Sequence, residues 1–280
     1  MYKILEKKQY SEKVFQFRVY APEIAKHAHA GQFLMVRADE TGERVPFTLA
    51  NWNAQEGWIE FIFMCIGKTT YLLSQFEAGQ KLLDVTGPLG KPTEMHEGRW
   101  AVIGGGVGLA IAFPVAKLLS KAGCEVHAIM GARSKELLLL EPQFKELLPQ
   151  DHIHITTDDG SYGEKGVVTA PLERLCNQGA IDRVFCVGPV PMMRFSTITA
   201  QKYNVPIIAS LNPIMVDGTG MCGCCRVEVG GQTKFACVDG PDFDATLVDW
   251  DDLRARLGAY RQEEAESLEA YEEKSQSCPK

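Results

Sequence analysis

The sequence predicts an N-terminal antiparallel β-barrel followed by a doubly wound α/β domain, with a cysteine-rich loop and a helical tail at its end. Three observations predict this order. Short β-rich runs fill residues 1–96, strands and helices alternate over residues 97–210, and cysteines and glycines concentrate in residues 211–245. Closely spaced β-rich runs are typical of barrels, whereas alternating strands and helices are typical of a helix-covered parallel sheet. Residues 246–280 form the predicted tail.

Four runs in the first region have the composition of β-strands. Aromatic, β-branched and other large apolar residues dominate them, and turn-forming residues separate them. The predicted strands are Val14–Tyr20, Gln32–Val36, Trp58–Phe63 and Lys81–Val85.

In the second region, the apolar run Ala101–Ile103 leads into a glycine-rich turn, and Leu109–Ala122 follows with helical periodicity. Strands predicted further along are Glu125–Met130, Ile153–Thr157, Arg183–Val187 and Pro206–Ile208. Helical segments separate these strands, which predicts a doubly wound parallel sheet.

Composition limits the classes of function. The net charge is −7 and no lysine-rich block is present, which argues against a nucleic-acid partner. The sequence has neither an apolar signal core at its start nor an apolar run of membrane-spanning length. Nine cysteines, an odd number, include four within Cys222–Cys237. We therefore expect a cytoplasmic protein whose cysteines bind metal and do not form disulfides.

Three glycine-bearing turns each follow a predicted strand of the α/β region. They are Gly104–Gly108, Thr157–Gly163 and Cys186–Val190. Each could be plain turn chemistry, and the first departs from G-x-G-x-x-G because Leu109 takes the final glycine position. The carboxyl ends of parallel strands meet at one sheet edge, where such folds bind ligands. Together the turns predict a nucleotide site.

Two further patterns lie in the barrel region. Arg44 stands four residues before Thr48 in a β-rich segment, and an arginine fork followed by a hydroxyl suits a phosphate-bearing heterocycle. Gly67-Lys-Thr-Thr70 precedes a helical run, so it is either a phosphate-binding helix start or a simple N-cap. Gly87–Gly90 is a turn close to the predicted domain junction.

The cysteine-rich loop reads Asp217-Gly-Thr-Gly-Met-Cys222-Gly-Cys-Cys225, and Cys237 follows downstream. This spacing is that of the plant-type iron–sulfur loop C-x4-C-x2-C, with Asp217 in place of the first cysteine. One alternative is a zinc site, and another is Cys224 as a ligand instead of Asp217. Adjacent side chains point apart in extended backbone, which favours Asp217. The predicted metal ligands are Asp217, Cys222, Cys225 and Cys237.

The remaining reactive side chains form no evident site. Cys65, Cys124 and Cys176 have no ligand spacing and are expected to be small apolar residues, and Cys278 belongs to a loose end. The six histidines are scattered and predict no metal-binding pair. Asp249 is the expected N-cap of a tail helix, and the acidic run after it is either a solvated helix or a docking segment.

These motifs, in this order and over the whole chain, resemble the ferredoxin–NADP reductase superfamily. The cysteine loop makes the chain similar to the superfamily's electron-transfer subunits, particularly the small (alpha) subunits of NADH-dependent ferredoxin:NADP oxidoreductases, also called sulfide dehydrogenase beta subunits. The resemblance implies FAD in the barrel, NAD(H) in the α/β domain and a [2Fe-2S] cluster in the loop. It also implies a larger flavoprotein and iron–sulfur partner subunit, which handles NADP and ferredoxin, and it favours docking of the tail onto that partner.

The resemblance also assigns roles to single residues. Arg44 would hold the FAD pyrophosphate, Thr48 would face the isoalloxazine, and Gly67–Thr70 would cradle the diphosphate. The residues expected at FAD are Arg44, Pro46, Phe47, Thr48, Gly67, Lys68, Thr69 and Thr70. The residues expected at the nicotinamide nucleotide are Gly105, Gly106, Gly108, Asp158, Asp159, Gly160, Cys186 and Gly188. The superfamily places Ser or Thr three residues after the arginine, whereas the interval here is four.

The resulting hypothesis is hydride exchange between NAD(H) and FAD, followed by single-electron transfer through the cluster into the partner, within an electron-bifurcating complex. No catalytic acid or base is predicted, because positioning of the cofactors is the protein's main contribution. One alternative is the electron-transfer subunit of a dihydroorotate dehydrogenase, in which cysteine replaces Asp217. A second is a non-redox, zinc-stabilised binding subunit. The preference for NAD rests on the resemblance alone, because Arg133 or Ser134 could accept a 2′-phosphate.

Overall fold

The computed structural model describes residues 1–277, with side chains described through Glu273, so Cys278 lies outside the described residues. It confirms the predicted fold class: an antiparallel barrel, a doubly wound α/β sheet, a cysteine loop and a helical tail. Within the described residues, no helix is both long enough and apolar enough to cross a membrane.

Two antiparallel sheets form the barrel. One has the strand order β5-β6-β2-β1-β7 and the other β4-β3-β8. The elements are β1 (Tyr2–Ser11), β2 (Val14–Tyr20), α1 (Pro22–His27), β3 (Phe33–Arg37), β4 (Arg44–Thr48), β5 (Asn51–Asn53), β6 (Trp58–Met64), α2 (Lys68–Ser74), β7 (Lys81–Leu82) and β8 (Asp84–Leu89).

The barrel differs from its prediction at several places. Strand β5 was not predicted, and the first three residues of the expected turn Gly87–Gly90 belong to β8. The single strand expected at Lys81–Val85 is two strands, because the chain leaves one sheet after Leu82 and enters the other at Asp84. Strand β1 was not predicted at all. Only Ile4 of β1 is buried, so this strand has little of the alternation that identifies strands in a sequence. The barrel core is aromatic, and the Phe17 and Phe63 rings meet edge-on at 5.1 Å.

The second sheet has the order β12-β11-β10-β9-β13-β14-β17 and is parallel except for β17. Helices cover it, so its central strands are buried. The elements are β9 (Arg99–Gly105), α3 (Leu109–Lys121), β10 (Glu125–Ala132), α4 (Glu141–Leu147), β11 (Ile153–Thr157), β12 (Glu164–Lys165), α5 (Thr169–Asn177), β13 (Arg183–Val187), α6 (Val190–Lys202) and β14 (Ile207–Ser210). Cys176 is buried as predicted, and so is Cys65 in the barrel.

The C-terminal elements contact both the parallel sheet and the barrel. They are β15 (Arg226–Val229), β16 (Gln232–Phe235), α7 (Ala236–Asp239), β17 (Asp242–Asp244), α8 (Trp250–Leu257) and α9 (Arg261–Ser277). Asp249 caps α8 as predicted, accepting hydrogen bonds from the N–H groups of Asp251 and Asp252. The tail helix α9 contacts α2 of the barrel. Strand β17 joins the parallel sheet, so the cysteine loop is built into the molecule and is not a separate appendage.

Candidate functional site

A β-hairpin brings two of the predicted cluster ligands together. Cys225 immediately precedes β15 and Cys237 follows β16, and these strands pair antiparallel. The Ala236 N–H donates to the Cys225 carbonyl at 3.1 Å, which closes the open end of the hairpin. Both thiols are buried, with their sulfur atoms 3.2 Å apart. The hairpin therefore explains how the fourth predicted ligand can be distant in sequence and still lie beside Cys225.

The other two predicted ligands lie on the exposed side of the loop. Cys222 is exposed, and a hydrogen bond from the backbone N–H of Cys224 lowers the pKa of its thiol. The Thr219 side-chain and backbone hydrogen bonds lower the pKa of Asp217, and the nearby Arg44 cation lowers it further. In the interior, burial raises the pKa of Cys237 to about 12, so the thiol keeps its proton. A bound metal ion reverses this and favours the thiolate.

The donor set fits a two-iron cluster better than a single zinc ion. Four tetrahedral zinc ligands at about 2.3 Å stand roughly 3.8 Å apart. Within the described part of the chain, the sulfurs of Cys222, Cys225 and Cys237 do not all lie within 4.8 Å of one another. The predicted ligands fall into two pairs, Cys225 with Cys237 and Asp217 with Cys222, and two pairs would suit the two irons of a plant-type cluster.

The cluster loop rests directly on the barrel. Gly218 has a φ of +84°, and a Cβ built on it would lie 2.6 Å from Cγ of Met35 on β3. Phe33 and Met35 belong to the same buried cluster as Cys225 and Cys237. A side chain at position 218 would push the loop away from β3, so glycine is required there for both conformation and close packing.

The four-residue interval between Arg44 and Thr48 has a structural explanation. Successive side chains on a strand alternate between faces, so Arg44, Pro46 and Thr48 share one face of β4. Phe47 lies on the other face, where its ring stacks on Phe61 inside the barrel at 5.1 Å and 4°. Phe47 therefore supports the strand from within, while Arg44 and Thr48 are presented together.

Contacts with neighbouring barrel elements hold Arg44 in place. Its guanidinium lies 2.5 Å from the Asp84 carboxylate and 3.4 Å from the Thr86 hydroxyl. The preceding residue, Glu43, accepts a hydrogen bond from the Thr69 hydroxyl at 3.4 Å, which places the start of α2 near β4. Arg44 is thus positioned between the α2 start and the cluster loop.

At the start of α2, the Thr70 side chain caps the turn that precedes the helix. Its hydroxyl accepts hydrogen bonds from the N–H groups of Ile66 and Gly67 at 3.0 and 3.1 Å. Gly67 itself has open space around it, with no atom within 4 Å of a built Cβ. The side chains of Thr69 and Thr70 are engaged within the protein, so Gly67 and Lys68 are the residues free to meet a ligand here.

The glycine turn after β9 lies at the switch point of the parallel sheet. β9 pairs with β10 on one side and β13 on the other, so the strand order reverses there. A Cβ on Gly108 would lie 2.6 Å from the Val187 carbonyl oxygen, and one on Gly105 would lie 2.4 Å from Met192 Sδ. Gly106, at φ +56°, has open space around it. Packing requires Gly105 and Gly108, whereas Gly106 is the position open to a ligand.

The loops after β10 and β11 are joined to each other. The Asp158 and Asp159 N–H groups donate to the Ala132 and Arg133 carbonyls at 3.1 and 3.2 Å. Both aspartates are exposed, and hydrogen bonds from Ser161 lower the pKa of Asp159. The three predicted turns therefore lie on one edge of the sheet.

Cys186 and Gly188 lie at the end of β13, on the same edge. The Cys186 side chain is fully buried, and burial raises the pKa of its thiol to about 12. A Cβ on Gly188 would lie 2.6 Å from Met192 Cε. The Cys186 thiol packs in the core, so only the main chain at this position can border a ligand.

The sequence did not reveal two features of the structure. Arg256 of α8 donates to the Cys224 carbonyl at 3.2 Å, which ties the tail to the cluster loop. Three histidines that are scattered in the sequence also meet, because the rings of His127 and His152 stack at 4.2 Å and those of His127 and His154 at 5.6 Å. The His-x-His spacing of His152 and His154 was the available signal.

Comparisons with known proteins agree with this geometry. Residues 212–249 match the family described as the iron–sulfur cluster binding domain of dihydroorotate dehydrogenase B. The chain is 46% identical over 269 residues to a Thermotoga maritima protein described as a homologue of the dihydroorotate dehydrogenase B (NAD(+)) electron transfer subunit, covering 96% of this chain and 94% of that protein. It is 32% identical to the electron transfer subunit of Desulforamulus reducens, over 82% of this chain and 90% of that one.

A solved structure is also similar over nearly the whole chain. It is described as the NADH-dependent reduced ferredoxin–NADP oxidoreductase, studied for flavin-based electron bifurcation. Its TM-score is 0.90 at 45% identity, covering 97% of this chain and 98% of that one. The similarity therefore includes the barrel, the α/β sheet and the cysteine loop together.

Proposed function

Because the chain belongs to the family of dihydroorotate dehydrogenase B electron transfer subunits and their homologues, we propose that it is the NAD(H)-linked subunit of an electron-bifurcating ferredoxin:NADP oxidoreductase. Its cofactors are FAD, a [2Fe-2S] cluster and NAD(H). When bound, FAD exchanges a hydride with the nicotinamide and the cluster carries electrons singly. The protein's contribution is to place these groups in line and close together.

In the barrel, Arg44 provides a guanidinium fork for the FAD pyrophosphate. Its contacts with Asp84 and Thr86 restrict its rotamers before the cofactor binds. Thr48, on the same face of β4, presents its hydroxyl to the flavin ring, and Pro46 lies between them. Gly67 and Lys68 meet the diphosphate, while Thr69 and Thr70 hold the turn that presents them.

At the sheet edge, Gly106 gives the nicotinamide dinucleotide close access to the backbone. Gly108 lets α3 start tightly against β13, and Gly105 lets β9 pack against Met192 of α6. The main chain of Gly188 borders the nicotinamide. Asp158, Asp159 and Gly160 border the rest of the dinucleotide from the loop after β11. Arg133 and Ser134 at this edge are compatible with either NAD(H) or NADP(H). The preference for NAD(H) therefore follows the names of the relatives.

In the cluster loop, Cys225 and Cys237 hold one iron and Asp217 with Cys222 holds the other. The observation that carries the proposal is that this loop packs on β3, the strand that pairs with β4, on which Arg44 and Thr48 lie. Gly218 packs on Met35, and the Arg44 cation is close enough to lower the pKa of Asp217. A loop in that position shortens the path between the flavin and the cluster.

The larger partner subunit docks beside the cluster. Three apolar side chains around the loop are exposed, at 51% for Val216, 88% for Met221 and 40% for Val238. Exposed apolar residues around an electron-transfer centre favour a docking surface at that centre. The tail helix α9 contacts the chain's own barrel, so the loop surface is the principal candidate for the interface.

The second candidate function is electron transfer to a dihydroorotate dehydrogenase catalytic subunit. The names of several relatives favour it. Asp217 favours the ferredoxin:NADP oxidoreductase, because cysteine takes that position in the dihydroorotate dehydrogenase subunits that this chain resembles. Purification of the native complex separates the two. A flavoprotein that reduces ferredoxin supports the first function, and a dihydroorotate-oxidising partner supports the second.

The cofactor assignment is tested on anaerobically purified protein. We expect flavin and [2Fe-2S] absorption, two irons per chain, and bleaching of the flavin by NADH at lower concentrations than by NADPH. Asp217→Ala should remove or change the reduced-state EPR signal, whereas Cys224→Ser is the matched control and should preserve it. A colourless protein that contains zinc would contradict the redox function. Loss of the signal in Cys224→Ser alone would contradict the ligand assignment.

A further inference from the structure

A cluster of side chains lies at the edge of the parallel sheet opposite the nucleotide loops. Glu125 and His127 lie at the start of β10, and His152 immediately precedes β11. One carboxylate oxygen of Glu125 and one nitrogen of each ring all lie within 4.8 Å of one another. Glu125 and His127 are two residues apart on a strand, so they share a face. We propose that these three residues bind a divalent transition-metal ion, with Zn²⁺ the ion that the site suits best.

The spacing of the donor atoms suits such an ion. His127 Nε2 and Glu125 Oε1 are 3.3 Å apart. Two ligands of a tetrahedral zinc ion, each at about 2.1 Å, are separated by roughly 3.4 Å. Two imidazoles and one carboxylate form an N₂O donor set that zinc uses in sites with three protein ligands and one open position. The open position is filled by water.

Neighbouring groups orient both rings for binding. His152 Nδ1 lies 3.2 Å from the Val126 carbonyl oxygen. A carbonyl can only accept, so Nδ1 carries the hydrogen and Nε2 keeps its lone pair for the metal. His127 Nδ1 lies 3.3 Å from His154 Nε2 and donates to it when Nε2 of His127 binds metal. Such outer hydrogen bonds on metal-binding histidines hold the ring orientation and the tautomer.

Carboxylates lie close to the two rings. Glu125 and Asp151 both act electrostatically on His127, so the site has carboxylates to balance a dication. Glu164 near His154 is already paired with Arg174 at 2.6 Å. The ion joins the first residues of β10 to the turn before β11, on the edge of the sheet away from the redox cofactors.

The test uses cofactor-loaded protein dialysed against a chelator and then titrated with Zn²⁺ against a chromophoric competitor. We expect one zinc per chain in addition to the cluster irons. Binding should weaken at least tenfold in Glu125→Gln and in His152→Asn, both of which change accessible side chains, and by about 10- to 100-fold in His154→Asn. His29→Asn, an exposed histidine elsewhere, is the control and should leave the affinity unchanged.

Zinc K-edge X-ray absorption distinguishes this site from the cysteine loop. We expect the zinc ion to have only nitrogen and oxygen neighbours, and the iron content to be unchanged. Sulfur neighbours around zinc would place it in the cluster loop and overturn the assignment. Equal zinc affinity in the wild type and His152→Asn, or no bound zinc, would also overturn it.

Discussion

Replacing Asp242 with asparagine should stabilise the protein at neutral pH, and the gain should shrink as the pH falls. Asp242 lies on β17 and is half-buried, with one oxygen of its carboxylate enclosed, and it accepts a hydrogen bond from the Thr93 hydroxyl at 2.6 Å. Thr93 belongs to the segment between the barrel and the parallel sheet, so this carboxylate lies at the domain junction. Burial raises its pKa to about 6, and the hydrogen bonds that it accepts offset the effect only in part.

The magnitude follows from the shift away from the ordinary value of 3.8. The folded protein holds this proton more tightly than the unfolded chain, so its stability falls as the pH rises from 3.8 towards 6. By linkage the penalty at pH 7 is about 3 kcal/mol, and at pH 5 it is roughly half of that. Asparagine has no such penalty. The difference in unfolding free energy between Asp242→Asn and the wild type should therefore shrink by about 1 kcal/mol between pH 7 and pH 5.

The assay is urea unfolding of the cofactor-loaded protein at pH 5, 6 and 7, followed by far-ultraviolet circular dichroism. Comparing the variant with the wild type at each pH cancels the titration of all other groups. Asp244→Asn is the control, because it removes an exposed carboxylate from the same strand. A difference that stays constant from pH 5 to pH 7, or one that grows as the pH falls, would refute the reasoning.

Two further predictions concern glycines. Gly218→Ala combines backbone strain with a clash against Met35 and should destabilise the protein by about 2–4 kcal/mol and lower cluster occupancy, measured as iron per chain. Gly231→Ala has a similar φ but open space, so it should cost only the strain, about 1–2 kcal/mol, and keep the iron; equal iron loss in both variants would contradict this. Gly108→Ala should push the start of α3 away from Val187 and raise KM for NADH at least several-fold with the flavin spectrum unchanged, in steady-state reduction of an artificial acceptor. An unchanged KM would contradict this placement.

Much of the fold was predictable because its signals are local. The strands Val14–Tyr20, Ile153–Thr157 and Arg183–Val187 were predicted with the bounds that the structure shows. Each is a short apolar run between turn residues. Strand β1 was missed because it is largely exposed, and β17 was missed because its Asp-Phe-Asp sequence reads as a turn. Both owe their conformation to pairing with distant strands.

The candidate site was predictable as a set of motifs but not as an arrangement. Spacing alone indicated Asp217, Cys222, Cys225 and Cys237 as ligands, and their roles remain a prediction. The sequence did not show that the Cys186 side chain is buried in the core, which leaves only the main chain at this position of β13 to lie near a nucleotide. Alternation along a strand shows that two faces exist, but only packing shows which one is buried.

By itself the sequence determined the order of the domains, the glycine turns and the cysteine spacing, because each depends on neighbours along the chain. Only the tertiary structure decided that Arg44 approaches Asp217, that the Asp242 carboxylate meets Thr93, and that three histidines meet at the far edge of the sheet. Those contacts join residues far apart in sequence. Their existence depends on how strands and loops pack, which no local pattern of residues specifies.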